Sequence, residues 1–136
     1  MRSLLAAGLY VLLLLPVLVA PIGRVKHGHA YLMEMVYRGG AHLAVDMLVN
    51  VVLFLPLGWL LHRAARRQGA TGRTSLVLVV AAGGLFSLSV ETLQYFLATR
   101  YSSGVDVATN AVGAWAGAWA EARRSAAACV AAQPPR

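Results

Sequence analysis

The sequence predicts an all-α fold, a polytopic membrane protein built as a four-transmembrane-helix bundle. Three observations carry that prediction. Apolar residues make up 59% of the 136-residue chain and charged residues only 12%, about half of the ~25% usual in soluble domains. The apolar residues gather into four stretches, at residues 4–22, 41–61, 76–98 and 105–120, each close to the ~20 residues an α-helix needs to cross the hydrocarbon core. The basic residues fall in the gaps between those stretches, where membrane proteins keep them. None of the stretches alternates as a strand would, and a helix satisfies its own backbone hydrogen bonds, which lipid requires. Residues 1–121 are therefore expected to form one domain.

The first stretch begins Met1-Arg2 like a secretory signal, but its apolar run exceeds the ~7–15 residues of a signal core. Cleavage after Ala20 would also leave Pro21 next in line, so a retained helix is expected. Pro16 should kink it, and Pro21 with Gly23 should end it. Pro56-Leu57-Gly58 should weaken a turn of the second helix. The fourth stretch is Ala/Gly-rich, and its Gly113 and Gly117 form a small-xxx-small pattern that allows close backbone approach. Trp115 and Trp119 read as interfacial anchors. Residues 122–136, rich in Ala and Pro, read as a frayed cytoplasmic tail running into disorder.

With the first helix starting inside, the inner side carries Arg2, Arg63, Arg66, Arg67, Arg73, Arg123, Arg124 and Arg136. The outer side carries Arg24, Lys26, Arg38 and Arg100, half as many. Both termini are thus expected in the cytoplasm. The net charge of +7 belongs to this pattern and not to a nucleic-acid partner, since no basic helix or aromatic-interleaved patch exists. Cys129 is the only cysteine, so no intramolecular disulfide can form.

Polar side chains inside the spans mark the candidate site, because a charge at a helix centre costs at least ~2.5–3.5 kcal/mol on insertion. Asp46 and Asn50 stand one turn apart on the second helix, and Asp106 and Asn110 repeat that spacing on the fourth. The echo suggests a duplicated helix pair. Ser87, Glu91, Gln94 and Tyr95 make a polar stripe on the third helix. Arg100 sits in the short connection that follows. The helix directions bring all these residues towards one end of the bundle, with the Asp–Asn faces turned inward. Glu91, the deepest carboxylate, should pair with Arg100 or accept hydrogen bonds from Asn50 and Asn110. His42, one turn before Asp46, reads as a solvated interfacial residue. The His27-x-His29 pair lacks further ligands, so neither a metal nor a cofactor is expected.

The series Asp46-x-x-x-Asn50, Leu53-Phe54-Leu55-Pro56-Leu57-Gly58, Glu91-x-x-Gln94, Arg100 and Asp106-x-x-x-Asn110-x-x-Gly113 resembles the VanZ-like membrane protein family. The match runs from about Asp46 to Gly117. The resemblance implies a multi-pass protein of the bacterial cytoplasmic (inner) membrane and cell envelope. It also implies a link to glycopeptide resistance, since the family's namesake is associated with low-level resistance to teicoplanin.

Three functional readings follow. In the leading one, a polar pocket at the outer face binds a headgroup, of a lipid-linked cell-wall intermediate or a lipoglycopeptide. Arg100 would hold a phosphate or carboxylate, Asn50, Gln94 and Asn110 would bind hydroxyls or amides, and Asp46, Glu91 and Asp106 would orient the arginine. In the second, the chain is a membrane enzyme acting on a lipid headgroup. It would use a cation held by the carboxylates or Glu91 as a base, although no nucleophile–base pair or dense metal motif is legible. In the third, Glu91 is the relay of a proton-coupled transporter; otherwise the polar residues only hold the helices together in a structural or accessory protein. The bilayer itself is the expected partner, and a homo-oligomer is compatible with so small a bundle.

Overall fold

The computed structural model describes residues 2–19, 40–96 and 103–132. They form four α-helices: α1 (Arg2–Val19), α2 (Gly40–Arg67), α3 (Gly72–Phe96) and α4 (Gly104–Ala131). No strand occurs among the described residues. The spans at Arg2–Val19, Leu43–Arg67 and Gly72–Gln94 are long and apolar enough to cross a membrane. Their outward faces are apolar, with Leu5, Leu9, Leu12, Leu13, Leu48, Val77 and Leu85 all more than half exposed. In water such a surface would be an aggregation hazard, whereas against acyl chains it is the correct solvent.

The inside is narrow. Phe54, Leu57, Val79, Val90, Ala114 and Ala118 are buried together with Leu14 and Leu18 of α1. Small residues dominate where α4 enters because its backbone lies against that of α2. A Cβ placed on Gly113 would collide with the Val51 carbonyl oxygen, one on Gly117 with the Leu55 carbonyl, and one on Gly58 with the Ala114 carbonyl. The pairing of residue 113 with 51 and 117 with 55 also fixes the direction: α2 and α4 run parallel. On the other side Ala114 packs on α3, where a Cβ at Gly83 would lie 2.8 Å from the Ala114 Cβ. α4 is thus wedged between α2 and α3. It is 28 residues long, about 42 Å at 1.5 Å per residue, but it is not among the three helices apolar enough to cross by themselves, because Ala and Gly replace the larger apolar residues where it meets α2.

Neither proline breaks its helix, for α1 runs through Pro16 and α2 through Pro56. Pro56 removes the N–H that would bond the Val52 carbonyl, and one residue on the Leu53 carbonyl accepts the Tyr10 hydroxyl of α1 at 2.8 Å. Gly58 therefore serves close packing against α4 within a continuous helix. Pro21 and Gly23 lie outside the described residues, as do His27 and His29.

The α2–α3 hairpin is fixed by local chemistry. Gly69 adopts φ +90°, the left-handed conformation that favours glycine. The Gly69 N–H bonds the Arg66 carbonyl and the Ala70 N–H bonds the Ala65 carbonyl, each at 3.1 Å, the pair of bonds that closes a Schellman turn. Arg66 adds a 2.6 Å bond from its guanidinium to the Ala70 carbonyl. Thr71 then caps α3, its hydroxyl accepting the Thr74 N–H at 3.2 Å.

Two expectations change. The helices extend past the predicted spans at the arginine-rich end, because Ala and Arg favour helix wherever water meets the chain. For the same reason residues 122–131 are not a frayed, disordered tail but the last turns of α4, exposed along their length.

The wedge gives a test by glycine substitution. Gly117→Ala should lower the thermal stability of the detergent-solubilised protein by about 1–3 kcal/mol. Gly84→Ala, whose new Cβ would meet nothing within 4 Å, should be neutral or stabilising by up to about 1 kcal/mol. Equal effects would contradict the backbone contact.

Candidate functional site

The polar stripe of α3 turns inward. Ser87, Glu91 and Gln94 are buried, while Leu85, Leu88, Ser89, Thr92 and Leu93 around them face outward. Each inward side chain ties a different element. Gln94 Nε2 donates to the Leu18 carbonyl of α1 at 2.6 Å, tying α3 to α1. Ser87 Oγ accepts from Asn110 Nδ2 of α4 at 2.8 Å. Glu91 Oε2 accepts the backbone N–H of Ser103 at 2.6 Å.

The last contact sets the start of α4. Ser103 is its N-cap, with extended dihedrals and no side-chain cap hydrogen bond. In a capping box the third residue of the helix, here Asp106, would reach back to the N-cap N–H. Glu91 of α3 takes that place instead. Its carboxylate also lies at the positive end of the α4 dipole, where an anion is favoured.

Among the described residues at this end, three buried oxygens have no hydrogen-bond partner: Gln94 Oε1 on the α3 stripe, and Asn110 Oδ1 and Ser103 Oγ at the facing start of α4. Their residues are each 3% exposed. The Gln94 amide is oriented by its bond to a carbonyl, which can only accept, so its oxygen is the free atom. Ser87 and Gln94 are seven residues apart, about 10 Å along α3. The site is therefore an elongated wall of acceptors, too long for the coordination sphere of one ion.

The other predicted residues are placed as follows. Asp106 is half-buried in the first turn of α4, and Asn50 is half-buried on α2. Asp46 is exposed, within a run from Ala44 to Val49 that is exposed all round the helix; the expectation that both Asp–Asn faces turn inward fails there. Asn110 bonds Ser87, not Glu91. Arg100 lies outside the described residues, and so do the side chains of His42 and Tyr95.

The sequence did not flag Ser103, the Leu18 carbonyl or a second buried polar group at the opposite end. There His62 Nδ1 of α2 meets Ser75 Oγ of α3 at 2.5 Å, with exposures of 2% and 0%. This has the spacing of a nucleophile and base, but no substrate atom can reach a hydroxyl so enclosed. It acts as a helix clamp. Nearby, buried Glu121 lies 3.9 Å from Arg63 Nε and accepts the Ser125 hydroxyl at 3.3 Å. Among the described residues no group of three or more His, Cys, Asp or Glu side chains is placed to share a metal ion.

The Ser87–Asn110 bond can be weighed by a double-mutant cycle. Ser87→Ala and Asn110→Ala should couple by about 0.6 kcal/mol and at most ~1.7, the range of hydrogen bonds between membrane helices. Additive losses would show that the two side chains do not bond.

No curated protein and no solved structure matches the chain. The VanZ/LLP1 family model matches residues 6–122, a region that takes in most of α1, all of α2 and α3, the α3 stripe and the part of α4 with its glycine contacts. Helical architecture, apolar spans and this match agree: the chain belongs to the VanZ/LLP1 family.

Proposed function

We propose that this protein is a binding protein of the bacterial cell envelope, resident in the cytoplasmic membrane, that holds the polar headgroup of an amphiphile along the α3 stripe. One observation carries the reading: among the described residues, Gln94 Oε1 of α3 and Asn110 Oδ1 and Ser103 Oγ of α4 are buried without hydrogen-bond partners. Each buried unsatisfied polar group costs about 1–3 kcal/mol, and native structures satisfy nearly all of them. A headgroup bearing hydroxyl or amide donors supplies what this wall lacks. Glu91 anchors the rim of the site through Ser103, and its charge selects against a bare anion at that point. Lipid-linked cell-wall intermediates and lipoglycopeptides carry such donors, which makes teicoplanin susceptibility the phenotype to measure. Arg100 would add an anion-binding arm.

The test is native mass spectrometry of the protein released from its own membranes, paired with that phenotype. The wild type should retain an amphiphile. Gln94→Leu and Glu91→Gln should each weaken retention roughly ten-fold or more, the scale of a charge-assisted or buried hydrogen bond, at unchanged protein level. Wild-type retention and phenotype in Gln94→Leu, which removes one of the unpartnered oxygens, would overturn the reading.

The proposed orientation places both termini in the cytoplasm, with the headgroup site at the outer face. Cys129 reports it directly, being exposed on the last turns of α4. An impermeant thiol reagent should leave Cys129 unmodified in intact cells and label it after permeabilisation. Labelling in intact cells would invert the topology and move the site to the inner face.

A further inference from the structure

The end of the bundle opposite Glu91 carries a different chemistry. Arg63, Arg66 and Arg67 close α2, Arg73 opens α3, and Arg123 and Arg124 lie on α4. Glu121 is the one acid in residues 56–80 and 107–132. It is buried and its neighbour is Arg63. Arg66 is engaged with the Ala70 carbonyl. Arg123 and Arg124 lean on aromatic rings: the Arg123 Cζ lies 4.5 Å from the Trp119 ring centroid, and the Arg124 Cζ 5.5 Å from that of Trp59 on α2. The one salt bridge among the described residues is Arg63–Glu121, so these two guanidinium groups keep their charge without a carboxylate.

Below Arg123 runs an apolar stripe. Val112, Trp115, Trp119 and Arg123 follow one another at three- and four-residue steps, so they share a face. Val112 is 53% exposed, Trp115 48% and Trp119 44%. The two indoles stack at 6.4 Å with an interplanar angle of 24°. Arg123 stands nineteen residues beyond Gly104, about 28 Å of rise, close to the ~30 Å thickness of the hydrocarbon core. A bilayer edge at Gly104 would therefore put this guanidinium at the level of the opposite headgroups, above the exposed indoles.

We propose that this stripe is a specific site for an anionic phospholipid of the surrounding bilayer. The phosphate sits on Arg123 and Arg124, and an acyl chain lies along Trp119, Trp115 and Val112. Charge complementarity selects the headgroup: two guanidinium groups without a carboxylate are presented where lipid phosphates lie, and each basic residue near an anionic surface favours binding by roughly five-fold. Stacking on the indoles pre-orients both side chains, which lowers the entropy lost on binding. The site is independent of the headgroup wall on α3, and it holds whichever end of the bundle faces the cytoplasm.

The tryptophans make it measurable. The chain has three: two form the stripe and the third lies under Arg124. The full-length protein is reconstituted in bilayers in which either phosphatidylglycerol or phosphatidylcholine carries brominated chains, and indole quenching is compared at equal mole fraction. Phosphatidylglycerol should be favoured by roughly five-fold or more at low salt, and the preference should shrink as salt rises. The double substitution Arg123→Gln/Arg124→Gln should abolish it, while Arg67→Gln/Arg73→Gln, which removes the same charge away from the indoles, should leave it within about two-fold. Equal quenching by the two lipids in the wild type would overturn the proposal. So would loss of the preference in Arg67→Gln/Arg73→Gln, which would mark it as diffuse attraction to a basic end. The wild-type comparison needs no variant to fold.

Discussion

The backbone of α4 rests on the backbone of α2, and that contact places nearly every polar group in the bundle. In lipid the tails are as apolar as leucine, so helices are drawn together by close packing and interhelical hydrogen bonds. Gly58, Gly113 and Gly117 remove the side chains that would hold the two helices apart. With α4 seated so deeply, Ala114 reaches Gly83 of α3 and Asn110 reaches Ser87. A bundle held further apart would leave those hydrogen bonds unmade and the polar stripe open to lipid, at a cost of several kcal/mol for each unsatisfied group.

The two ends of the bundle then take opposite characters. At one end α3 presents a carboxylate to the start of α4, and the unmet groups nearby are oxygens that accept. At the other, the single acid is buried and the exposed charges are arginines, two of them stacked on indoles. Under the two proposals, the first end takes a ligand that brings hydrogens and the second one that brings negative charge. A lipid-embedded protein can maintain both because nothing between them screens or solvates a charge. The clamps between His62 and Ser75 and between Tyr10 and the Leu53 carbonyl keep α1, α2 and α3 in register across that gap.

Much of the bundle was legible because lipid imposes simple rules. Apolar runs of the right length gave the helices, and the four-residue spacing of Ser87 and Glu91, with Gln94 three further on, gave the inward stripe. The same spacing misled at Asp46. Periodicity says that Asp46 and Asn50 share a face, but only neighbours decide which face is inward, and the run from Ala44 to Val49 is exposed on every side. Ser103 and the Leu18 carbonyl were invisible because they act at the backbone or at a helix end, where residue type leaves no mark. His62 and Ser75 are thirteen residues apart, across a hairpin whose closure by Gly69 and Thr71 has to be seen before the pair can be. The continuation of α4 to Ala131 was obscured by Pro134 and Pro135, which make the whole tail read as unstructured although Ala and Arg before them favour helix.

A ligand site along the α3 wall and a dry clamp between helices differ at Ser103, because its hydroxyl is buried, unpartnered and adjacent to the Glu91 contact. In a Cys129→Ser background, Ser103→Cys places a thiol at that atom. If the wall is a ligand site, a small neutral thiol reagent should modify the thiol in lipid-stripped protein, and adding back membrane lipid extract should protect it. No modification in either state, in protein whose thiol reacts once unfolded, would contradict a ligand site there.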